Sequence, residues 1–127
     1  MISAVLDSSA LLAYVKGEAG ADEVAGIIGD AAISAVNFAE AVTILVGKGM
    51  SPELAQAALG IAGLDVVAFD RRLAEQAGAM VVLTKALGLS LGDRACLALA
   101  AREGVSAVTA DRVWSKLGTK FKIRLIR

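Results

Sequence analysis

The chain has 127 residues, 57% of them hydrophobic, and its 13 basic and 13 acidic side chains leave no net charge. This length predicts one domain over residues 1–127 with a substantial core, and the lack of net charge excludes nucleic-acid binding through bulk positive charge. The absence of histidine and the single cysteine exclude a histidine base, a serine–histidine triad and zinc sites built from those residues.

In the first half of the chain, short apolar runs alternate with segments of helical periodicity. The pattern predicts, in order, a strand at 2–6, a helix to about residue 15, a helix within 19–29, a strand at 31–34, a helix at 34–48 and a helix that starts at Ser51 and Pro52. The core-facing stripe of the 34–48 helix is predicted to contain Phe38, Val42, Leu45 and Val46.

The second half continues this alternation. The pattern predicts a strand at 64–69, a helix from Asp70 to about residue 86, a helix at 89–104, a strand at 105–110 and an edge strand at 121–126. In the 89–104 helix, Ser90 and Asp93 have the spacing of a capping box, and Gly104 is a typical helix end. Alternating strands and helices predict an α/β fold with a mainly parallel sheet, which binds ligands at the carboxyl ends of its strands.

The first residues, MISAVLD, carry no basic segment before their short apolar run, and no apolar stretch reaches the length of a membrane span. We therefore expect no signal peptide and no transmembrane helix. Cys96 has no second cysteine with which to form an internal disulfide, which fits a reducing, cytoplasmic location. Within the apolar segment RACLALAA, we expect its thiol to be buried and inert.

Four acidic residues lie in segments that the predicted topology brings together at one edge of the sheet. Asp7 ends the first strand, Glu40 lies one turn into a helix that follows a strand, and Asp93 lies in the first turn of the 89–104 helix. Asp111 comes two residues after Thr109, at the end of the 105–110 strand. Each position has a simpler explanation, because acids also cap helices, interact with helix dipoles and line solvated helix faces.

Four segments carry a resemblance that spans nearly the whole chain: VLDSSALLAYV, SAVNFAEAV, LSLGDRACLALAAREG and AVTADRVW. In this order and spacing they resemble the PIN-domain ribonucleases, and among those the VapC-type toxins of bacterial toxin–antitoxin pairs. The resemblance implies a PIN-like three-layer sandwich and hydrolysis of RNA by metal-activated water. Residues 54–87 carry no such signature, so the choice of RNA is not predicted.

The resemblance also implies roles for individual residues. The catalytic residues and ligands of one or two Mg²⁺ or Mn²⁺ ions would be Asp7, Glu40, Asp93 and Asp111. Ser9 and Thr109 would be auxiliary residues that orient waters or phosphate oxygens. The implied partners are an RNA substrate, a second copy of the chain in a homodimer, and an antitoxin protein that plugs the acidic cleft.

The chemistry of these side chains agrees with a hard metal ion. Two carboxylates 4 Å apart repel each other by roughly 4 kcal/mol at an effective dielectric of about 20, so a cluster of four needs a cation or protonation. Oxygen ligands without histidine or cysteine favour Mg²⁺ or Mn²⁺ over zinc.

The chain carries no acid after Asp111 but holds six of its 13 basic residues there: Arg112, Lys116, Lys120, Lys122, Arg124 and Arg127. One interpretation is a strip that binds RNA phosphates beside the acidic cleft, with Arg112, Lys116, Lys120 and Lys122 as the candidates. The alternative is an edge strand whose charges only prevent pairing with other chains.

Three other functions compete with the nuclease interpretation. A receiver-type signalling domain phosphorylated at Asp70 would need an acidic pair after the first strand, where this chain has Ser8 and Ser9. A haloacid-dehalogenase phosphatase would need an aspartate in the place of Ser9. A PIN-like module that binds RNA or a protein without cutting is the third alternative.

Overall fold

Five parallel strands form one sheet in the order β3-β2-β1-β4-β5 in the computed structural model, which describes residues 1–127. The strands are β1 (Ala4–Leu6), β2 (Ala31–Ser34), β3 (Asp65–Val67), β4 (Ser106–Thr109) and β5 (Ile123–Leu125). The helices are α1 (Ser8–Lys16), α2 (Ala21–Ala25), α3 (Ala35–Gly47), α4 (Pro52–Gly60), α5 (Arg71–Ala79), α6 (Val81–Thr84) and α7 (Leu91–Glu103). Short 3₁₀ segments cover Ile28–Asp30, Lys85–Leu87 and Arg112–Lys120.

The predicted α/β fold with a mainly parallel sheet is confirmed, and all five predicted strands are present. The order of the strands excludes the receiver-domain alternative, because receiver sheets have the order 2-1-3-4-5. Asp70, the residue on which that alternative depended, caps α5 by accepting a hydrogen bond from the amide of Leu73 at 2.9 Å.

Two predicted helices are shorter than expected. The helix predicted from Asp70 to about residue 86 is divided into α5 and α6 at Met80, and the break is flanked by Gly78 and the β-branched pair Val81–Val82. The helix predicted within 19–29 is limited to α2, with Gly26 at its end. Glycine and β-branched residues weaken a helix that has little packing to support it.

The side chains of β1 alternate between the two faces of the sheet. Val5 packs with α5 and α7 in one apolar cluster, whereas Ala4 and Leu6 pack with α1 and α2 in another. Helices therefore cover both faces, which gives the predicted three-layer sandwich. None of the helices has both the length and the apolar character that a membrane span requires.

Helix α7 lies at the centre of the fold. Every residue from Ala95 to Ala100 is buried, and the small alanine side chains let the helix approach β1, β2 and β4 closely. Cys96 is buried within this segment, as predicted. A helix packed on so many sides has a fixed position, and so does the acid-bearing first turn at its amino end.

Candidate active site at the carboxyl edge of the sheet

Asp7 follows β1, and Thr109 ends β4, the strand beside it. The register that pairs Leu6 with Val108 brings these two residues side by side. The Thr109 hydroxyl donates to Oδ2 of Asp7 at 2.5 Å, and the Ser9 hydroxyl donates to Oδ1 at 2.7 Å. Oδ1 also accepts from the amide of Ala10, so Asp7 caps α1 as well.

The Asp7 carboxyl is 4% exposed, and this burial raises its pKa from 3.8 to about 6. The three hydrogen bonds from Thr109, Ser9 and Ala10 lower the pKa, but by less than burial raises it. The negative charge of Asp93 raises the pKa further. Ionised Asp7 is thus disfavoured by its surroundings, and a cation beside it would offset this penalty.

Glu40 is held where α3 meets the first turn of α7. The side-chain amide of Asn37 donates to Oε1 of Glu40 at 2.9 Å and to the carbonyl of Gly92 at 2.9 Å. The Glu40 carboxylate lies directly against the Cα of Gly92. Residues three apart on a helix share a face, which explains how Asn37 reaches Glu40.

Asp93 forms the predicted capping box at the start of α7. Its Oδ2 accepts from the amide of Ser90 at 2.9 Å, while its own amide donates to the Ser90 hydroxyl at 3.2 Å. Glutamate or glutamine usually accepts this hydrogen bond in a capping box, and here the shorter aspartate accepts it. The side chain of Asp93 is half-buried and therefore fixed at the amino end of α7.

Asp111 is exposed and caps the 3₁₀ segment that follows β4. Its Oδ1 accepts from the amide of Val113 at 3.0 Å, and its own amide donates to the Thr109 hydroxyl oxygen at 3.0 Å. Because the same hydroxyl donates to Asp7, Thr109 connects the first acid with the last. Ser9 also joins these segments, since its oxygen accepts from the amide of Ala110 at 2.9 Å.

Three of the four acids act on one buried thiol. Burial is the main reason that the pKa of Cys96 lies well above its usual value. The pKa is raised further by the charges of Asp7, Asp93 and Glu40. Asp111 joins this group through Thr109.

The four carboxylates lie in one region but do not point at a common centre: no three of them form a ready-made metal cage. Asp7, Asp93 and Asp111 turn toward the helix amino ends that they cap, and Glu40 turns toward Asn37. Mutual repulsion favours such an arrangement when nothing positive lies between the acids. Helix capping, the simpler explanation, therefore accounts for the local hydrogen bonds of Asp7, Asp93 and Asp111.

The donor set fits a hard divalent cation. Glu40, Asp93 and Asp111 each keep one carboxylate oxygen that no protein group bonds, and the groups around the four acids are amides and the hydroxyls of Ser9 and Thr109. None of the four acids forms a salt bridge. Unpaired oxygen ligands of this kind suit Mg²⁺ or Mn²⁺.

The six basic residues after Asp111 do not form one strip. Arg112 and Lys116 lie in the 3₁₀ segment at the carboxyl edge, but β5 is parallel to its neighbours, so Lys120 and Lys122 precede it at the amino edge. Lys122 donates to the carbonyl of Gly104, at the opposite end of α7 from Asp93 and about 17 Å away along the helix. Lys120 and Lys122 therefore lie at the opposite edge of the sheet from the acids, and the expectation that they flank the acidic cleft is wrong.

The tail's remaining basic residues have local partners. Arg124 pairs with Glu23 at 2.7 Å, and Arg127 donates to the carbonyl of Ala19. Both contacts tie the end of the chain to α2 and the loop before it. These two residues therefore have structural roles at the amino-terminal helices.

Sequence reasoning missed two residues of the site, Asn37 and Gly92. The alternative interpretation of Glu40, a residue on a solvated helix face, places Asn37 on that same face, yet Asn37 is 1% exposed. Its spacing of three from Glu40 was the available signal. Nothing in the sequence indicated that its second partner lies 55 residues further along the chain.

Comparisons with known proteins bear on the family and on the fold. The PIN domain family matches residues 4–120. No curated protein matches the chain in sequence. Solved structures with a similar fold include the following three.

The DNA-bound VapBC from Salmonella typhimurium has a TM-score of 0.78 and 19% identity, with 100% of both chains covered. VapBC2 from Rickettsia felis, bound to a DNA fragment from its promoter, has a TM-score of 0.73 and 20% identity, with 98% of each chain covered. VapC20 from Mycobacterium tuberculosis, described as a Sarcin-Ricin loop cleaving toxin, has a TM-score of 0.72 and 22% identity, with 91% of this chain and 95% of that chain covered.

Proposed function

The chain belongs to the PIN-domain family, and on that premise we propose that it is a Mg²⁺- or Mn²⁺-dependent endoribonuclease, the toxin of a type II toxin–antitoxin pair. The observation that carries the proposal is the group of four acids at one sheet edge, none of which is neutralised by a basic side chain. The similarity to VapC20, which is described as cleaving the Sarcin-Ricin loop, supports RNA as the substrate.

In this proposal the cation ligands are Asp7, Glu40, Asp93 and Asp111. A divalent cation, when bound, supplies an acidified water as nucleophile and offsets the charge that builds on the phosphate. Thr109 and Ser9 hold the Asp7 carboxylate in one orientation through their hydroxyl groups. Such a mechanism needs no side-chain base, which suits a chain without histidine. The resemblance to PIN-domain ribonucleases implies products with a 5′-phosphate and a 3′-hydroxyl.

The function is tested by incubating the purified protein with RNA in Mg²⁺ or Mn²⁺. We expect cleavage to 5′-phosphate and 3′-hydroxyl ends, loss of cleavage in EDTA and recovery when Mn²⁺ is added. Cleavage that is unaffected by EDTA, or products with cyclic phosphates, would contradict the metal mechanism. RNA that is bound but left intact in Mn²⁺ would instead favour the non-catalytic binding module.

Contact with RNA phosphates is expected to come from Arg112 and Lys116, the basic residues at the carboxyl edge. In EDTA, changing both to alanine should lower the slope of log binding constant against log salt by about 1.4, because each phosphate contact on a single strand contributes roughly 0.7. The matched control changes Lys120 and Lys122 at the amino edge. An equal or larger loss of slope in that control would contradict this assignment.

The proposed protein partners are an antitoxin and a second copy of the chain. The unpaired acids would accept a cationic side chain of an antitoxin, and the VapBC complexes among the similar structures support such a partner.

The homodimer is supported by an apolar groove beside Glu40, which contains Val36, Ile44 and Phe69. A monomer in sedimentation at micromolar concentration would contradict the dimer. A cytoplasmic location is part of the same proposal, because its RNA substrate lies there.

A further inference from the structure

We propose that Asn37 is a positioning residue that fixes the Glu40 carboxylate against α7, and that glycine at position 92 makes this arrangement possible. The inference rests on the proposed function only in assigning Glu40 as a cation ligand. The contacts themselves do not depend on that assignment.

Asn37 links the two helices that carry Glu40 and Asp93. Its side-chain nitrogen donates at 2.9 Å both to Oε1 of Glu40 and to the carbonyl of Gly92, which directly precedes Asp93. Both partners accept hydrogen bonds, so the amide has only one chemically consistent orientation. One buried amide therefore sets the spacing between two of the four acids.

The other end of the same amide has no partner. Oδ1 of Asn37 is buried and accepts no hydrogen bond from any group of the protein. Buried acceptors are nearly always satisfied, so this oxygen calls for a donor that the chain does not supply. A water from the shell of a hydrated Mg²⁺ is such a donor, because this ion keeps several of its waters in protein sites.

Gly92 has a role that its backbone does not require. It lies in the first turn of α7 without a positive φ angle, and alanine would be the better helix former at that position. An added Cβ, however, would stand 2.6 Å from Cδ of Glu40, closer than real Cβ contacts occur. The missing side chain thus creates the space that the Glu40 carboxylate occupies.

The test compares Mn²⁺ affinity, measured by calorimetry, with the urea midpoint of unfolding in EDTA. Asn37→Leu keeps the size of the side chain and removes its hydrogen bonds, and Gly92→Ala fills the space beside Glu40. Both variants should bind Mn²⁺ about 10- to 100-fold more weakly, the usual effect of losing a residue that orients a metal ligand. Their midpoints should stay close to that of the wild type. Thr43→Ala, exposed on the same helix, is the matched control and should change neither quantity.

A lower midpoint with unchanged Mn²⁺ affinity would overturn the proposal, since Asn37 would then serve the fold alone. Normal Mn²⁺ affinity in Gly92→Ala would overturn the role of the glycine. If the wild type binds no Mn²⁺, the proposed function fails. The contact between Asn37 and Glu40 is then tested by a double-mutant cycle, in which the urea midpoints are measured in EDTA. Asn37→Leu should be less favourable to the midpoint in the wild type than in a Glu40→Ala background, because the bond to Gly92 is lost in both but the bond to Glu40 is lost only in the wild type. Equal shifts would overturn the contact.

Discussion

Asp7→Asn is expected to abolish Mn²⁺-dependent RNA cleavage and, in EDTA at pH 8, to raise the free energy of unfolding by up to about 3 kcal/mol. Activity should fall more than about a hundredfold, because the variant lacks the charge of the most buried proposed ligand. The gain in stability follows from the Asp7 pKa, which burial raises from 3.8 to about 6. Asparagine still accepts hydrogen bonds from Ser9 and Ala10 through its remaining oxygen.

The measurements are a cleavage assay on RNA and urea unfolding of the metal-free protein. Asp70→Asn is the matched control, because Asp70 caps α5 in the same way as Asp7 caps α1 but lies outside the proposed site. It should leave cleavage unchanged. Wild-type cleavage by Asp7→Asn would remove Asp7 from the site.

Asp93→Asn should lose cleavage as well, but without the gain in stability. Asp93 is only half-buried and carries a negative charge at the amino end of α7, where such a charge stabilises a helix by about 0.3–1 kcal/mol. Its removal also relieves repulsion with Asp7. These two effects oppose each other, so the free energy of unfolding should change little.

The second large effect is a dependence of stability on pH in the metal-free protein. The folded state holds a proton on Asp7 up to about pH 6, whereas the unfolded chain releases it near 3.8. Folding therefore takes up a proton between these values, and the contribution of Asp7 to stability falls as the pH rises from about 4 through 6. The total decrease is about 3 kcal/mol and is complete above pH 7.

This dependence is measured as the difference in unfolding free energy between the wild type and Asp7→Asn, from pH 4 to 8 in EDTA. The subtraction removes the contributions of other titrating groups. Adding Mg²⁺ should stabilise the wild type more at pH 8 than at pH 5, because the ion binds ionised Asp7. A difference that is constant across this range would contradict the burial of a titrating Asp7.

Parts of the fold were predictable because local signals and packing agree. The apolar run at 31–34 is β2 to the residue, and the 89–104 segment carries its own cap, apolar body and terminal glycine. Asp7 and Asp111 stand at the carboxyl ends of neighbouring strands, as the parallel topology required. Their assignment as metal ligands is still a prediction.

Other features depend on contacts that no local pattern contains. The alternation at 121–126 predicts a strand but not its direction, and only the parallel pairing of β5 places Lys122 at the amino edge. The position of Asn37 in the helical pattern is also compatible with a solvated residue. Its burial depends on contact with Gly92, which comes from a distant segment of the chain. No helix was predicted at residues 112–120, where the structure forms a 3₁₀ segment.

The capping contacts of Asp7, Asp93 and Asp111 determine which substitutions the fold can tolerate. At each position an asparagine can keep the contact with the helix end, so substitutions that silence the chemistry need not unfold the molecule. Under the proposed function, cells that are selected to escape RNA cleavage would accumulate such inactive but folded variants.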